Sequence, residues 1–285
     1  MLHIFPGLIP PIPAPKSTSV STDLTTARMK QLPDIQVDKE KCLIQDMKVL
    51  TSDTLLVSNY TKECVQLVDS RKGGVLSEVQ LQGGIGSMCL TDKNTAAVAM
   101  TGKIQMVQVK DKTLTLGTVL TVREDICGIT SRTNTLVVCY SKPPWLEVIS
   151  MEGKILHQFH TTGKTQHFKT PWFMCTTPDE TILISDCDTN TITKVDESLN
   201  ILQTFTSPLL EGPCGITAVT EDQILVCSYS NHSIVLLQPS TNTVSTLLGR
   251  DDGIVYPYSL AYCPDQKKVY VAPHITYTIK VYQIT

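Results

Sequence analysis

The sequence predicts an all-β chain folded as a six-bladed β-propeller of four-stranded antiparallel blades. Three observations lead there. First, one apolar run recurs: TLLVSNY (54–60), TAAVAM (95–100), TLVVCY (135–140), TILISD (181–186), QILVCSY (223–229) and KVYVAP (268–273). The mean spacing is ~43 residues, a period at which four short strands form a propeller blade. Second, each unit repeats one internal order: a small-residue or apolar strand, a polar turn, the apolar run, a polar loop and a third strand. Third, the last unit stops one strand short at Thr285, while an unmatched strand precedes the first unit.

The elements follow in order. Residues 1–28 carry Pro6, Pro10, Pro11, Pro13 and Pro15 and a Ser/Thr-rich stretch, and read as a flexible linker or leader. The apolar start lacks a basic n-region, and its prolines break a signal-peptide helix. The propeller is expected over 29–285. MKQLPDIQV (29–37) is the strand that closes the last blade, because an open sheet edge is a liability; Pro33 is tolerable on an outermost strand.

The innermost strands begin at QDMKV (45–49), GSMCL (86–90), CGITS (127–131), WFMCT (172–176), CGITA (214–218) and YSLAY (258–262). The third strands are CVQLVD (64–69), KIQMVQV (103–109), WLEVIS (145–150), TITKVD (191–196), SIVLLQ (233–238) and TIKVYQ (278–283). Five fourth strands follow, VLSEVQL (75–81), TLTLGTVL (113–120), KILHQF (154–159), ILQTF (201–205) and TVSTLL (243–248). All are rich in the β-branched residues that suit a pleated surface.

Composition narrows function. The net charge of −3 provides no global field to draw in nucleic acid, and no run of apolar residues is long enough for a membrane helix. None of the ten cysteines forms C-x-x-C or a zinc spacing, and most sit inside apolar runs, where a free thiol behaves as a small hydrophobe. Reduced cysteines without an export signal lead us to expect a cytoplasmic protein, in which the sequons at Asn59 and Asn231 are inert.

The segment DCDTNTITKVDE places Asp186, Asp188, Asn190 and Glu197 at positions 1, 3, 5 and 12 of a calcium loop. Thr191 stands where that loop needs a glycine-like turn, and the flanks have strand rather than helix composition. The repeat assigns the segment to the turn between the second and third strands of blade four. No metal or cofactor is expected.

TPWFMCTTPDETILISDCDTNTITKVDESLNILQTF and GPCGITAVTEDQILVCSYSNHSIVLLQPSTNTVSTL resemble NHL-type repeats. The resemblance is to the C-terminal propeller of TRIM-NHL ubiquitin ligases and covers about residues 30–285. Pro171 and Pro213 match the repeat start, and Asp186 matches the strand-ending Asp. It implies a non-enzymatic platform that selects protein or RNA partners. Paired zinc-ligand spacings and heptads are absent from the sequence, so ligase activity would need a longer parent chain or another subunit.

Loops joining blades, and loops between second and third strands, share one face of a propeller. That face is expected to carry Tyr60, Lys62, Tyr140, Lys142, Trp145, Asn190, Tyr229, Asn231, His232, His274 and Tyr277 as a protein-binding surface. The longest inter-blade loop, 160–172, brings His160, Lys164, His167, Lys169 and Trp172 together. Basic residues interleaved with aromatics suit RNA, the alternative partner. Set against that are a loop whose Phe168 packs under the blade edge and the acidic GRDDG (249–253) on the same face.

A third reading is a lactonase-like hydrolase with a metal in the central channel. The relevant positions lie near Asp46, Ser87, Gly128, Phe173, Gly215 and Ser259, and one carboxylate is too few for Ca²⁺. With no nucleophile elbow or paired-histidine motif, the expectation is a non-catalytic protein.

Overall fold

The computed structural model describes residues 23–160 and 167–285. Within them the chain forms β1 (Met29–Gln36) and six sequential strand groups. Blade one is β2 (Ile44–Thr51), β3 (Thr54–Asn59), β4 (Cys64–Asp69) and β5 (Val75–Gln80). Blade two is β6 (Ile85–Asp92), β7 (Thr95–Met100), β8 (Lys103–Lys110) and β9 (Thr113–Thr121). Blade three is β10 (Ile126–Arg132), β11 (Thr135–Ser141), β12 (Pro144–Ser150) and β13 (Ile155–His160). Blade four is β14 (Pro171–Thr176), β15 (Ile182–Asp186), β16 (Thr191–Val195) and β17 (Ile201–Thr206). Blade five is β18 (Pro213–Thr220), β19 (Gln223–Ser228), β20 (Ser233–Gln238) and β21 (Thr243–Leu248). Blade six has β22 (Pro257–Cys263), β23 (Lys268–Pro273) and β24 (Thr278–Ile284). Each blade is an antiparallel sheet of four strands.

The ring closes as the sequence predicts. β1 joins blade six in the order β1-β24-β23-β22, with Met29 opposite Ile284 and Gln36 opposite Thr278. The register shifts between Leu32 and Ile35, so Pro33 sits where the ladder is interrupted and costs no central hydrogen bond. Contact with the propeller starts before the strand. Leu24, within the stretch assigned to a linker, is fully buried among blade-five residues, and its N–H donates to Oε1 of Gln223 at 2.7 Å.

The hydrophobic core lies between blades. Met47, Leu55 and Val57 of blade one pack with Tyr270, Ala272 and Ile279 of blade six, and equivalent clusters join the other neighbours. The outer strands are the solvent edge and leave Leu76, Leu116, Val119, Ile155 and Leu202 exposed. At two places on the axis the inner strands approach so closely that glycine is required. A Cβ on Gly128 would lie 2.2 Å from the carbonyl oxygen of Trp172 in the next blade; one on Gly215 would lie 2.8 Å from that of Tyr258.

Candidate functional site: the loop face and the central channel

The DCDTN turn shows how the loop face is built. Asp186 ends β15 with no exposure, and its carboxylate accepts four kinds of backbone N–H: Lys169 at 2.6 Å, Thr170 at 3.1 Å, and Asp188 and Thr189 at 3.2 Å. A buried carboxylate held by that many donors is satisfied without a cation. Asp188 accepts the Thr170 hydroxyl at 2.8 Å and lies 3.6 Å from Lys169 Nζ. Glu197 lies beyond the other end of β16, exposed and 3.8 Å from Arg132. The four residues with calcium-loop spacing therefore do not converge.

Other blades use the same slot. Ser228 accepts the Glu211 N–H at 2.9 Å, and Asn59, buried at the end of β3, accepts the Lys62 N–H at 3.1 Å. In blade three the slot holds Tyr140. This corrects the expectation that Tyr140 belongs to the binding face. It is 1% exposed and donates its hydroxyl to Oε2 of buried Glu147 at 2.7 Å. Burial, then the Glu147 carboxylate, push its phenol well above the usual range. The strand-ending residue points into the blade, and only the next residue reaches the loop surface.

That next residue is Tyr60 in blade one, Tyr229 in blade five and His274 in blade six, so the aromatics fall on three consecutive blades. Tyr229 packs against Tyr256 at a centroid separation of 5.1 Å and against His274 at 5.7 Å. His274 also meets Tyr258 at 5.2 Å. His232 is buried rather than presented: its ring lies 4.1 Å from Tyr256, and its Nδ1 accepts the Tyr256 N–H at 3.0 Å. Desolvation, then Arg250, lower its pKa. Around this cluster Tyr60, Val255, Tyr256, Ile275 and Tyr277 are all more than two-fifths exposed. The bridge between Cys42 and Thr276 and the bond from Tyr60 N to the Leu43 carbonyl tie these loops into one surface.

Val255, Tyr256 and Ile275 escaped the sequence reading. The first two follow a 3₁₀ turn, Arg250–Asp252, in a loop read only for its acidic residues. A positive φ of 47° at Tyr256 turns its side chain outward. The remaining expected face residues are partly committed. Lys62 pairs with Asp38 at 2.6 Å, Asn190 accepts the Gly212 N–H at 2.8 Å, and Asn231 donates to the Pro208 carbonyl at 2.9 Å. Trp145 is half-buried within β12, edge-on to Tyr140 and under Arg123 at 3.9 Å; Lys142 is exposed.

Of the loop read as an RNA contact, Lys164 and the side chain of His160 lie outside the described residues. His167 and Lys169 are exposed and Trp172 is half-buried, while Phe168 is fully buried and stacks edge-on against Phe159 at 6.3 Å. Among its described residues the loop presents two exposed basic side chains, His167 and Lys169, the latter beside Asp188.

The channel is crossed at mid-height by Asp46, Ser87, Gly128, Phe173, Gly215 and Ser259, all buried. Two of them couple neighbouring blades. Asp46 accepts the N–H of Met88 at 2.9 Å, and Ser87 accepts that of Ile129 at 2.9 Å, each from the following blade. Ser259 Oγ has no partner, since the equivalent amide, Met47 N–H, already donates to Asp46 at 2.7 Å. Tyr258, bonded to Gln45 Nε2 at 3.3 Å and 5.4 Å from Phe173, fills the loop-face end of the channel. No group of three or more His, Cys, Asp or Glu side chains among the described residues is arranged to hold a metal ion. No helix among them is long and apolar enough to cross a membrane.

No family model matches the chain, and no curated protein matches it. Solved structures do. A protein of unknown function from Bacteroides thetaiotaomicron superposes with a TM-score of 0.72 at 14% identity, over 91% of this chain and 76% of that one. Virginiamycin B lyase from Staphylococcus aureus, solved in an inactive form with quinupristin, gives 0.63 at 15% identity over 90% and 89%. The β-propeller domain of Cps50 (Swd1) from Myceliophteria thermophila gives 0.61 at 14% identity over 85% and 84%. Neighbours this distant in sequence include an enzyme and a protein of unknown function alike, and what they establish for this chain is the propeller fold.

Proposed function

We propose that the chain is a non-catalytic binding platform that recognises a protein partner through the loop face of blades five, six and one. The observation that carries this reading is the run of exposed aromatic and aliphatic side chains, Tyr60, Val255, Tyr256, Ile275 and Tyr277, on a face whose neighbouring loops are locked by backbone bonds. Tyrosine supplies large contact area at low entropic cost, and a grouped apolar surface rimmed by polar residues suits protein association. The repeat resemblance extends the proposal to a recognition module of TRIM-NHL type that presents partners to a ubiquitin ligase. Ten unpaired cysteines accord with a cytoplasmic setting. Support for a non-catalytic role comes from Asp46, the carboxylate of the mid-channel ring, which is taken up by two backbone amides and Lys48.

The test is affinity capture from a lysate with the full chain and with a Tyr256→Ser, Ile275→Ser, Tyr277→Ser triple variant, each with and without ribonuclease. Proteins retained after ribonuclease and lost in the triple variant support the proposal. Partners that disappear with ribonuclease and persist in the triple variant move the assignment to RNA and to Lys169 and its loop.

A further inference from the structure

The aromatic face is open among the described residues, and the chain carries a segment suited to cover it. Tyr60, Tyr256 and Tyr277 are exposed there beside Val255 and Ile275, and the three tyrosine hydroxyls make no hydrogen bond among the described residues. The matching ligand brings apolar bulk together with free carbonyl oxygens for those hydroxyls. A polyproline II helix does both: it has no internal hydrogen bonds, loses little entropy on binding and docks on aromatic rings. Residues 4–16 lie outside the described residues, and their sequence, IFPGLIPPIPAPK, has this character. Pro6, Pro10, Pro11, Pro13 and Pro15 each favour the polyproline II value of φ. At three residues per turn, Pro6, Ile9, Ile12 and Pro15 share one side of such a helix, an unbroken apolar stripe. The segment holds no charged side chain before Lys16.

The anchor point of the chain permits the contact. Leu24 is fixed on blade five, where its N–H meets Gln223, the first residue of β19 and the end of the strand away from the loop face. The six residues of β19 rise about 20 Å from there to the loop face. The eight peptide units from Lys16 to Leu24 span up to about 27 Å, enough to follow the outer wall of the blade. That path ends at the turn Arg250–Asp252, close in sequence to Tyr256. Asp251 is exposed on this turn and makes no ion pair among the described residues, so Lys16 meets a free carboxylate where the segment reaches the face. A tether of this length holds the segment at an effective concentration on the order of millimolar, so a contact too weak to persist between molecules is populated within one.

We infer that the chain's own segment 4–16 docks on the aromatic face within one molecule, as a polyproline II helix with its Pro6, Ile9, Ile12 and Pro15 stripe against Tyr256, Ile275 and Tyr277 and with Lys16 beside Asp251. The inference rests on the assignment of this face to partner binding, and it makes the segment a built-in competitor of that partner.

The test labels the full chain with 3-fluorotyrosine and reads it by ¹⁹F NMR, with Tyr256→Phe and Tyr277→Phe assigning the two signals. The wild type is compared with a variant carrying Pro6→Ser, Ile9→Ser, Ile12→Ser and Pro15→Ser, positions that precede Leu24 and its packing on the propeller. The variant is expected to shift the Tyr256 and Tyr277 signals and to leave that of buried Tyr282 in place. A synthetic peptide of residues 4–16 is expected to restore the wild-type positions saturably in the variant, and to bind the wild type at least about tenfold more weakly because the tethered segment competes. In lysate capture the variant is expected to retain more partner than the wild type. Wild-type shifts that disappear on dilution place the segment of a second copy on the face and overturn docking within one molecule. Identical spectra in the two chains overturn docking altogether. Identical spectra alongside proteins that the Tyr256→Ser, Ile275→Ser, Tyr277→Ser variant loses overturn the role of the segment and leave partner recognition intact.

Discussion

The backbone N–H of Tyr256 donates to Nδ1 of His232 at 3.0 Å, which makes a buried, neutral imidazole the anchor of the aromatic face. The folded-state pKa of His232 is lowered, chiefly by desolvation and then by Arg250. The unfolded chain therefore binds this proton more readily than the folded chain. Stability from this group is complete above the unfolded pKa of about 6.5 and declines as pH falls through it. Urea unfolding at pH 7.5 and 5.5 is expected to show a loss in the wild type that is smaller in His232→Asn. That variant keeps an acceptor and tolerates the φ of 54° at this position.

Asp186 gives the second prediction. Its carboxylate answers four backbone amides and never meets Glu197. Asp186→Ala is expected to destabilise by about 3–5 kcal/mol, since it strands amides that the buried charge satisfied. Calcium and a chelator are both expected to leave the wild-type melting temperature unchanged. A rise of several degrees with calcium would restore the metal-loop reading.

Tyr140 and the exposed tyrosines should separate cleanly. Tyr140→Phe leaves Glu147 Oε2 short of its donor inside the blade, a cost of about 1–3 kcal/mol in denaturant unfolding. Tyr60→Ser, Tyr256→Ser and Tyr277→Ser touch exposed surface and are each expected within about 0.5 kcal/mol of wild type. Equal losses at all four positions would show the exposed patch to be structural.

Gly128 tests the axis. An added Cβ meets both the Trp172 carbonyl at 2.2 Å and Cys139 Sγ at 2.5 Å, and backbone cannot move aside cheaply there. Gly128→Ala is expected to cost at least about 1–3 kcal/mol as overpacking. Gly249→Ala, with open space around its Cβ, serves as the control.

Leu24 tests the start of the domain. Deleting residues before Met29 removes a fully buried leucine side chain from the blade-five cluster. A chain starting at Met29 is expected to be less stable than one starting at Asp23 by about 2–3 kcal/mol, read from denaturant midpoints.

The fold was legible because its signal is repeated. Apolar runs such as TLLVSNY and QILVCSY recur at a spacing that sets one blade, and MKQLPDIQV is the strand that the last blade lacks. The turn assignment of Asp188–Asn190 follows from the same repeat; the burial of Phe168 is the reading set against an RNA contact. Local pattern fails where a side chain's direction is set by a neighbour. Tyr140 and Tyr60 both stand at strand ends in polar surroundings. One residue of offset sends Tyr140 into the blade toward Glu147 and Tyr60 into solvent.

What the amino-acid sequence determined, then, is the blade count, the strand order and the closing strand, because hydrophobic period and edge pairing are properties of the chain itself. Only the tertiary structure decided which aromatics meet. Tyr229, Tyr256 and His274 come from loops of two adjacent blades, and Tyr60 of blade one shares their face only when the ring is closed. It also decided that Asp46 is a coupler, paired with Lys48 and accepting the Met88 N–H of the next blade. Such contacts depend on the packing of blades around an axis, and a linear pattern carries the period of the blades but not the angle between them.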